Sequence, residues 1–226
     1  MDLSIQEVSS LLQVSEDVVQ NWLDAGEIPS YIIQNEVRFS REEIESWVLR
    51  SHNQVHQDTN ESMMGTQQFN LYRALHKGYV LVDIEGDSKK ELIQNSMHAI
   101  AKDLDVNPEG ITELLLDREN LMSTALNEGV AVPHTRDFLL SKTYDVVVLV
   151  YPKKPIEYGA LDHKPVHSLF FLFACEDKKH LNLLAKIAYF CNRKDHIELL
   201  KQKPSKKDLL NAVRNWEASL AQLQQA

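Results

Sequence analysis

One histidine of the chain stands where an imidazole could act as a nucleophile. His134 directly follows Pro133, at the end of a short apolar run that begins after Gly129. Proline fixes its backbone φ, so the ring that follows it is held in a defined direction. A neutral imidazole can carry a phosphoryl group on a ring nitrogen, a reaction that depends on positioning and charge neutralisation more than on acid–base catalysis. His134 is therefore a candidate phosphoacceptor.

Groups that could hold a phosphoryl anion lie upstream of this histidine. The guanidinium of Arg118 could bind phosphate oxygens in a bidentate manner, and the hydroxyls of Ser123 and Thr124 could add hydrogen bonds. Taken alone, the same residues have ordinary interpretations. Arg118 could form a surface ion pair with Glu119, and the Ser-Thr pair could cap a helix.

A second histidine, His180, stands where a helical pattern begins at Leu181. The helix dipole at that end disfavours an imidazolium, which would keep the ring neutral and able to donate one hydrogen bond. By itself His180 is also consistent with a simple helix-capping neighbour.

The remaining histidines and the cysteines give no metal-binding pattern. His163 and His167 form a rival cluster, but no third ligand lies at a convincing spacing. We interpret both as structural, and we expect neither a metal nor another cofactor. Cys175 and Cys191 are expected to be reduced thiols.

The elements around these residues alternate between strands and helices. Residues 80–84, 144–150 and 166–173 are predicted strands, and the last two are apolar enough to be buried on both faces. Helices are predicted from capping signals at Ser88 and at Asn107-Pro108, and later at about 180–190, 195–201 and 205–220. This order predicts an α/β (α+β) fold, a three-layer α/β/α sandwich with a mixed sheet.

The combination of these motifs resembles a known family. The pair Arg118-Glu119, the pair Ser123-Thr124, the run Gly129–His134 and the pair His180-Leu181 are similar to the signature of enzyme IIA domains of the phosphoenolpyruvate:sugar phosphotransferase system, in the fructose, mannitol and nitrogen-regulatory class. The resemblance implies that His134 is phosphorylated and that His180 orients its ring. It also implies that Arg118, Ser123 and Thr124 stabilise the phosphoryl group. The implied donor is phospho-HPr or a similar phosphocarrier.

The first fifty residues predict a separate winged helix-turn-helix domain. Capping signals at Ser4, Ser15 and Ser40 begin three short helices, and 31–33 with 37–39 form a small hairpin. The segments VSEDVVQNWLDAGEIP and VRFSREEIESWV resemble the excisionase/MerR-type helix-turn-helix. We therefore predict a winged helix-turn-helix domain over 1–50, a linker over 51–68 and the enzyme IIA-type domain over 69–226.

The charge of this first domain argues against strong DNA binding. Residues 1–50 contain three basic and ten acidic side chains, a net charge of −7, whereas the whole chain has −9. Phosphate contacts from Lys and Arg supply much of the affinity for DNA. Gln20 and Asn21 could still read base edges, and Arg38 and Arg41 could contact phosphates. A weak DNA reader and a protein-docking module therefore both remain open.

These observations lead to one principal hypothesis. No segment is apolar enough to span a bilayer and the first residues do not resemble a signal peptide, so a cytoplasmic protein is expected. We expect a regulatory phosphocarrier of the nitrogen-regulatory enzyme IIA type, with an HPr-like protein as its donor. The alternatives are a transcription regulator whose DNA binding is controlled by phosphorylation, and a vestigial enzyme IIA that acts as a protein-interaction module.

Overall fold

The computed structural model describes residues 2–12, 14–34, 36–50, 70–135, 144–175 and 177–222, without the side chains of 177–178 and 221–222. The predicted linker 51–68 lies outside these residues, so the division of the chain into 1–50, 51–68 and 69–226 stays a prediction. Among the described residues, no helix is both long and apolar enough to cross a membrane.

The helices and strands fall into two groups along the chain. The first group is β1 (Asp2–Leu3), α1 (Ile5–Leu12), α2 (Glu16–Asp24), β2 (Tyr31–Ile33), β3 (Glu36–Ser40) and α3 (Arg41–Arg50). The second is α4 (Asn70–Lys77), β4 (Val80–Ile84), α5 (Lys89–Leu104), α6 (Pro108–Leu121), β5 (Val130–Ala131), β6 (Val146–Pro152), β7 (Ser168–Phe173), α7 (Asp177–Cys191), α8 (Lys194–Lys201) and α9 (Lys206–Gln222).

The first group is the predicted helix-turn-helix with its wing, and we call it the N-terminal module. Ser4 and Glu7 form the expected capping box of α1, with Ser4 N–H donating to the Glu7 carboxylate at 2.8 Å. Ser15 accepts from the Val18 N–H at the start of α2. Such side-chain acceptors satisfy N–H groups that a helix start leaves without intrahelical partners. The predicted helix starts in this module are therefore confirmed.

The wing has one strand more than the sequence indicates. β2 and β3 form the predicted antiparallel hairpin, and the two-residue strand β1 adds to the other edge of β3. In the helices of the module, the rings of Trp22 on α2 and Trp47 on α3 lie 5.1 Å apart. A two-residue strand has no periodicity of its own, which is why sequence patterning missed β1.

The second group is built on a mixed four-stranded sheet in the order β4-β6-β7-β5. β6 and β7 are antiparallel, whereas the outer strands β4 and β5 are each parallel to their neighbour. Alternate residues of the central strands enter two different hydrophobic clusters. Leu149 packs on the side of α4, α7 and α9, and Val148 packs on the side of α5 and α6. The predicted three-layer α/β/α sandwich with a mixed sheet is confirmed.

Two helix assignments differ from the sequence prediction. Helix α4 was not predicted, and α7 begins at Asp177, so His180 is the fourth residue of its helix rather than the first. Two of the first N–H groups of α4 are satisfied from a distant part of the chain, which a local pattern cannot reveal.

The distant cap of α4 is Glu217 on helix α9. Its carboxylate accepts from the backbone N–H groups of Leu71 and Tyr72 at 3.2 and 3.0 Å. The same carboxylate contacts the ammonium of Lys186 on α7 at 2.9 Å. Burial lowers the pKa of Lys186, and the neighbouring Glu217 opposes that shift. One buried carboxylate thus joins α4, α7 and α9.

We expect Glu217→Ala to lower the free energy of unfolding by about 3–5 kcal/mol, because it removes the acceptor of two helix N–H groups and the counter-charge of a buried ammonium. Urea denaturation would measure this effect. Glu198→Ala is the matched control, because Glu198 also pairs with a lysine, at 2.7 Å, but on the surface. We expect that control to change stability by no more than about 1 kcal/mol. Equal effects of the two substitutions would contradict the role of Glu217.

Candidate active site

A short backbone hairpin brings two of the predicted motifs together. Val132 N–H donates to the carbonyl of Thr124 at 3.0 Å, and Leu126 N–H donates to the carbonyl of Val130 at 2.7 Å. The chain reverses between these pairs through Glu128 and Gly129, which both have positive φ. The Ser-Thr pair therefore lies beside the residues that lead into the candidate nucleophile.

His134 is held at the edge of the sheet by its own neighbours. It bridges in parallel to Leu172 of β7, whose N–H donates to the carbonyl of Pro133 at 3.0 Å. Its side chain is buried, with 0% relative exposure. The Nδ1 atom lies 2.7 Å from the carbonyl oxygen of Val132. A carbonyl oxygen only accepts, so Nδ1 carries a proton, and in the neutral tautomer the lone pair is therefore at Nε2.

Arg118 and the Ser-Thr pair lie at the end of α6 and just after it. Arg118 is buried in the last turn of α6, and its Nη1 donates to the carbonyl of Met122 at 3.0 Å. Ser123 Oγ donates to the carbonyl of Tyr158 at 3.0 Å, and Thr124 is fully buried. These hydrogen bonds therefore anchor the turn that leads into the hairpin.

Glu119 is the buried centre of this region, although its place in the sequence did not mark it as a site residue. It accepts from the N–H of Thr124 at 3.2 Å and from the Tyr158 hydroxyl at 3.1 Å, and it also hydrogen-bonds the Thr124 hydroxyl. Lys89 lies 3.3 Å from the same carboxylate. Burial, with the added effect of the Glu119 charge, raises the pKa of Tyr158 well above its usual range. The pair Arg118-Glu119 was the signal that could have identified it.

The structure brings His180 next to His134. The two ring centroids are 5.1 Å apart and both side chains are almost completely buried. On its other side, His180 Nδ1 lies 3.6 Å from the carboxylate of Glu45. Glu45 belongs to α3 of the N-terminal module and has 0% relative exposure. No sequence signal pointed to Glu45, because only the packing of the two groups places it here.

The four residues predicted to contact nucleic acid differ in their exposure to solvent. Gln20 and Asn21 are exposed on α2, although the Gln20 amide donates to Asp24 at 2.8 Å. Arg38 on the wing pairs with Glu36. Arg41 extends to Glu45 at 3.5 Å, and only 16% of its side chain is exposed. The two arginines therefore each contact a carboxylate.

The rival histidine cluster has structural contacts. His167 Nε2 lies 3.0 Å from the carbonyl of Glu128, and its Nδ1 lies 2.8 Å from Ser168 Oγ. Burial lowers the pKa of His167. His163 occupies a turn with φ of 54°. Within the described part of the chain, no three His, Cys, Asp or Glu residues are grouped as they would be around a metal ion.

Comparison with known proteins identifies the families to which the two parts of the chain belong. Residues 73–216 match the model of the family described as "Phosphoenolpyruvate-dependent sugar phosphotransferase system, EIIA 2". The chain belongs to this enzyme IIA family. Residues 3–52 match a family described as "Helix-turn-helix domain". Both resemblances indicated by the sequence are confirmed, and the chain joins an enzyme IIA domain to an N-terminal helix-turn-helix domain.

Several relatives of this enzyme IIA chain are named nitrogen regulatory protein. A nitrogen regulatory protein of Pseudomonas aeruginosa is 32% identical over 146 residues, which cover 63% of this chain and 94% of the relative. A nitrogen regulatory protein of Escherichia coli is 31% identical over 135 residues, which cover 58% of this chain and 82% of the relative.

Solved structures show the same enzyme IIA fold. The nitrogen regulatory protein IIA-Ntr of Neisseria meningitidis aligns with a TM-score of 0.54 and 28% identity, covering 61% of this chain and 93% of that chain. A PTS IIA domain of Streptococcus pyogenes aligns with a TM-score of 0.55 at 20% identity, covering 65% of this chain and 96% of that chain. The second likeness concerns the fold alone.

We expect Glu119→Gln to destabilise the enzyme IIA domain by about 2–3 kcal/mol, because the amide cannot accept from all the donors that converge on the carboxylate. Urea denaturation would measure the loss. Glu113→Gln, at an exposed position of the same helix, is the matched control and should be nearly neutral. If Glu119→Gln were as stable as this control, the buried carboxylate would not hold the hairpin.

Proposed function

We propose that this chain is a regulatory phosphocarrier of the enzyme IIA type that accepts a phosphoryl group on Nε2 of His134 from an HPr-like phosphocarrier. The observation that carries the proposal is the hydrogen bond from Nδ1 to the carbonyl of Val132 at 2.7 Å. That bond selects the tautomer whose Nε2 is nucleophilic, and it holds the ring in one orientation. The family membership of residues 73–216 supports the same reaction class.

The transfer exchanges one nitrogen–phosphorus bond for another. The lone pair of His134 Nε2 attacks the phosphorus atom of the donor's phosphohistidine. The bond from phosphorus to the donor nitrogen breaks, and its electron pair returns to the donor ring. The proton on Nδ1 of His134 stays in its hydrogen bond to Val132 while the phosphorylated ring gains positive charge, which the carbonyl oxygen stabilises.

Neighbouring residues have positioning and stabilising roles in this proposal. His180, with its ring 5.1 Å from that of His134, orients the acceptor. Arg118 contributes positive charge for the phosphoryl oxygens, and Ser123 and Thr124 stabilise the phosphoryl group from the segment that pairs with the residues before His134. Glu119 acts through Thr124 and is a positioning residue. No cofactor takes part in this mechanism.

A regulatory role is favoured over sugar delivery. The Pseudomonas aeruginosa and Escherichia coli relatives are named nitrogen regulatory proteins, and the match covers 94% and 82% of their lengths. The helix-turn-helix domain joined to the enzyme IIA domain also supports a signalling role. A cytoplasmic location, where phosphocarrier donors act, belongs to the same proposal.

We expect His134→Ala to abolish phosphorylation. The purified chain would be incubated with phosphoenolpyruvate, enzyme I and HPr, and its intact mass recorded before and after mild acid. The wild-type chain should gain one acid-labile phosphate, whereas His134→Ala should gain none and keep its circular dichroism spectrum. His98→Ala, at a half-exposed histidine, is the matched control.

Full labelling of His134→Ala would exclude this residue as the acceptor. An unlabelled wild-type chain beside a labelled enzyme IIA would favour a vestigial, protein-binding role.

We expect His180→Ala to slow transfer by up to about 100-fold without removing the acceptor, because a misoriented nucleophile loses the benefit of proximity. Quenched-flow measurement of the phosphorylation rate, with the final extent recorded separately, would show this. An unchanged rate would remove His180 from the site.

Weak DNA binding by the N-terminal module is the second candidate function. It is favoured by the match of residues 3–52 to a helix-turn-helix family and by the exposure of Gln20 and Asn21 on α2. In that case Arg38 and Arg41 would be the phosphate contacts. The acidic charge of the module predicts only weak binding at physiological salt.

This function can be tested by selecting the genomic DNA fragments that the full chain binds. Fluorescence anisotropy would then measure the affinity for those fragments at 150 mM salt, which is about the ionic strength of the cell. A specific site should lose discrimination in the variant Gln20→Ala/Asn21→Ala, while Glu16→Ala serves as a control on the same helix. Absence of any selected sequence would contradict DNA reading.

A further inference from the structure

The N-terminal module lies directly on the enzyme IIA domain at the candidate active site. Helices α1 and α3 pack against α7, the helix that carries His180. The buried apolar residues of the module and those around α4, α7 and α9 form one continuous hydrophobic cluster. A shared core of this kind indicates a defined docked arrangement rather than two domains in loose contact.

The interface also contains charge, which is unusual for a buried surface. Glu45 of α3 has 0% relative exposure and lies between Arg41, at 3.5 Å, and His180 Nδ1, at 3.6 Å. A buried carboxylate is tolerated only where nearby groups compensate its lost hydration. Glu45 thus depends on these two neighbours, and His180 in turn contacts the ring of His134.

Docking is incompatible with the transfer reaction. A phosphoryl donor must bring its phosphorus atom to roughly 3 Å from the attacking nitrogen. In the docked arrangement His134 has 0% relative exposure and His180 has 2%. His180 is also the residue that the module contacts, through Glu45. A donor protein therefore cannot reach Nε2 of His134 in this arrangement.

We propose that the N-terminal module is a cap on the phosphoacceptor site, and that docking of the module through Glu45 and phosphorylation of His134 exclude each other. This inference rests on the function proposed above, because it concerns the regulation of the same histidine. The phosphoryl group would add two negative charges near a carboxylate that is buried in the docked state. Like charges repel strongly where water is excluded, so the phosphorylated chain releases the module.

A charge placed in the interface should uncap the site. Leu49 of α3 is buried and lines a cleft together with Met122, Gly159 and Leu161 of the enzyme IIA domain. In the full chain, Leu49→Asp should accelerate phosphorylation by HPr at least about tenfold, as expected when a minor open population becomes the major one. Ile32→Asp is the matched control, because Ile32 is 74% exposed on the wing. It should react at the wild-type rate.

A second variant, at an exposed position, controls for the chance that Leu49→Asp acts by unfolding the module. Arg50→Asp, at the exposed end of α3, places a negative charge in the same cleft, which Asp162 also lines. It should give a smaller acceleration in the same direction. Circular dichroism would establish that each variant is folded. Wild-type rates in both folded variants would overturn the capping proposal.

Chemical modification tests the cap without any phosphate donor. Diethyl pyrocarbonate reacts with accessible imidazoles, and the tryptic peptide 119–136 contains His134 as its only histidine. In the wild-type chain His134 should react about tenfold more slowly than the half-exposed His98, and in Leu49→Asp the two rates should converge. If these rates behave as expected but no variant is phosphorylated, the phosphocarrier function fails while the cap remains. If His134 reacts as fast as His98 in the wild-type chain, the cap is contradicted whatever the outcome of phosphotransfer.

Hydrogen exchange tests whether Glu45 couples phosphorylation to release of the module. Phosphorylation of the wild-type chain should increase hydrogen exchange in α1 and α3, as the module separates from α7. Glu45→Gln should reduce this increase by at least half, because the repelling charge is absent; Glu43→Gln, exposed on the same helix, is the control. An equal increase in Glu45→Gln would show that Glu45 does not couple the two events.

Discussion

The site depends first on the backbone registers that fix His134. The carbonyl of Val132 accepts from its Nδ1, the carbonyl of Pro133 accepts from Leu172 of β7, and the N–H of Val132 donates to Thr124. These three hydrogen bonds join the hairpin to the edge of the central sheet, so the orientation of the ring follows from the pairing of strands. The proposed nucleophile is therefore attached to the rigid core of the domain. Attachment to rigid elements is the usual way in which a reactive side chain is kept within a fraction of an ångström of its productive position.

The sandwich could be predicted from local patterns to a large extent. Apolar β-branched runs identified the central strands, and Ser4, Ser15 and Ser88 identified helix starts, because each of those signals acts within a few residues. Helix α4 could not be predicted in this way. Its N–H groups are capped by Glu217 on α9, and a contact between residues so distant in sequence leaves no local periodicity.

The same distinction applies to the candidate site. His134, Arg118, Ser123, Thr124 and His180 were indicated by the sequence, and the structure places the two histidines in contact. The roles of all five residues remain predictions. Glu119 and Glu45 were not identified, because a glutamate becomes informative only when its burial is known. Glu45 comes from a different part of the chain, and its contact with His180 arises from the docking of one folded unit on another.

The charge of the N-terminal module has an additional consequence in this arrangement. Its acidic residues reduce attraction to DNA, whereas one of them, Glu45, is used inside the protein at the site that would receive phosphate. A helix-turn-helix unit can therefore keep its fold while its contacts serve regulation within the chain. Gln20 and Asn21 stay exposed in the docked state, so capping of the site and presentation of α2 to a partner are compatible.

The atom proposed to carry the phosphoryl group is Nε2 of His134. The most direct measurement is NMR spectroscopy of the full chain labelled with ¹⁵N-histidine, after phosphotransfer from phospho-HPr. We expect a phosphorus–nitrogen coupling to Nε2 of His134 while Nδ1 keeps its proton. Coupling to Nδ1 of His134, or to a nitrogen of any other histidine, would contradict it.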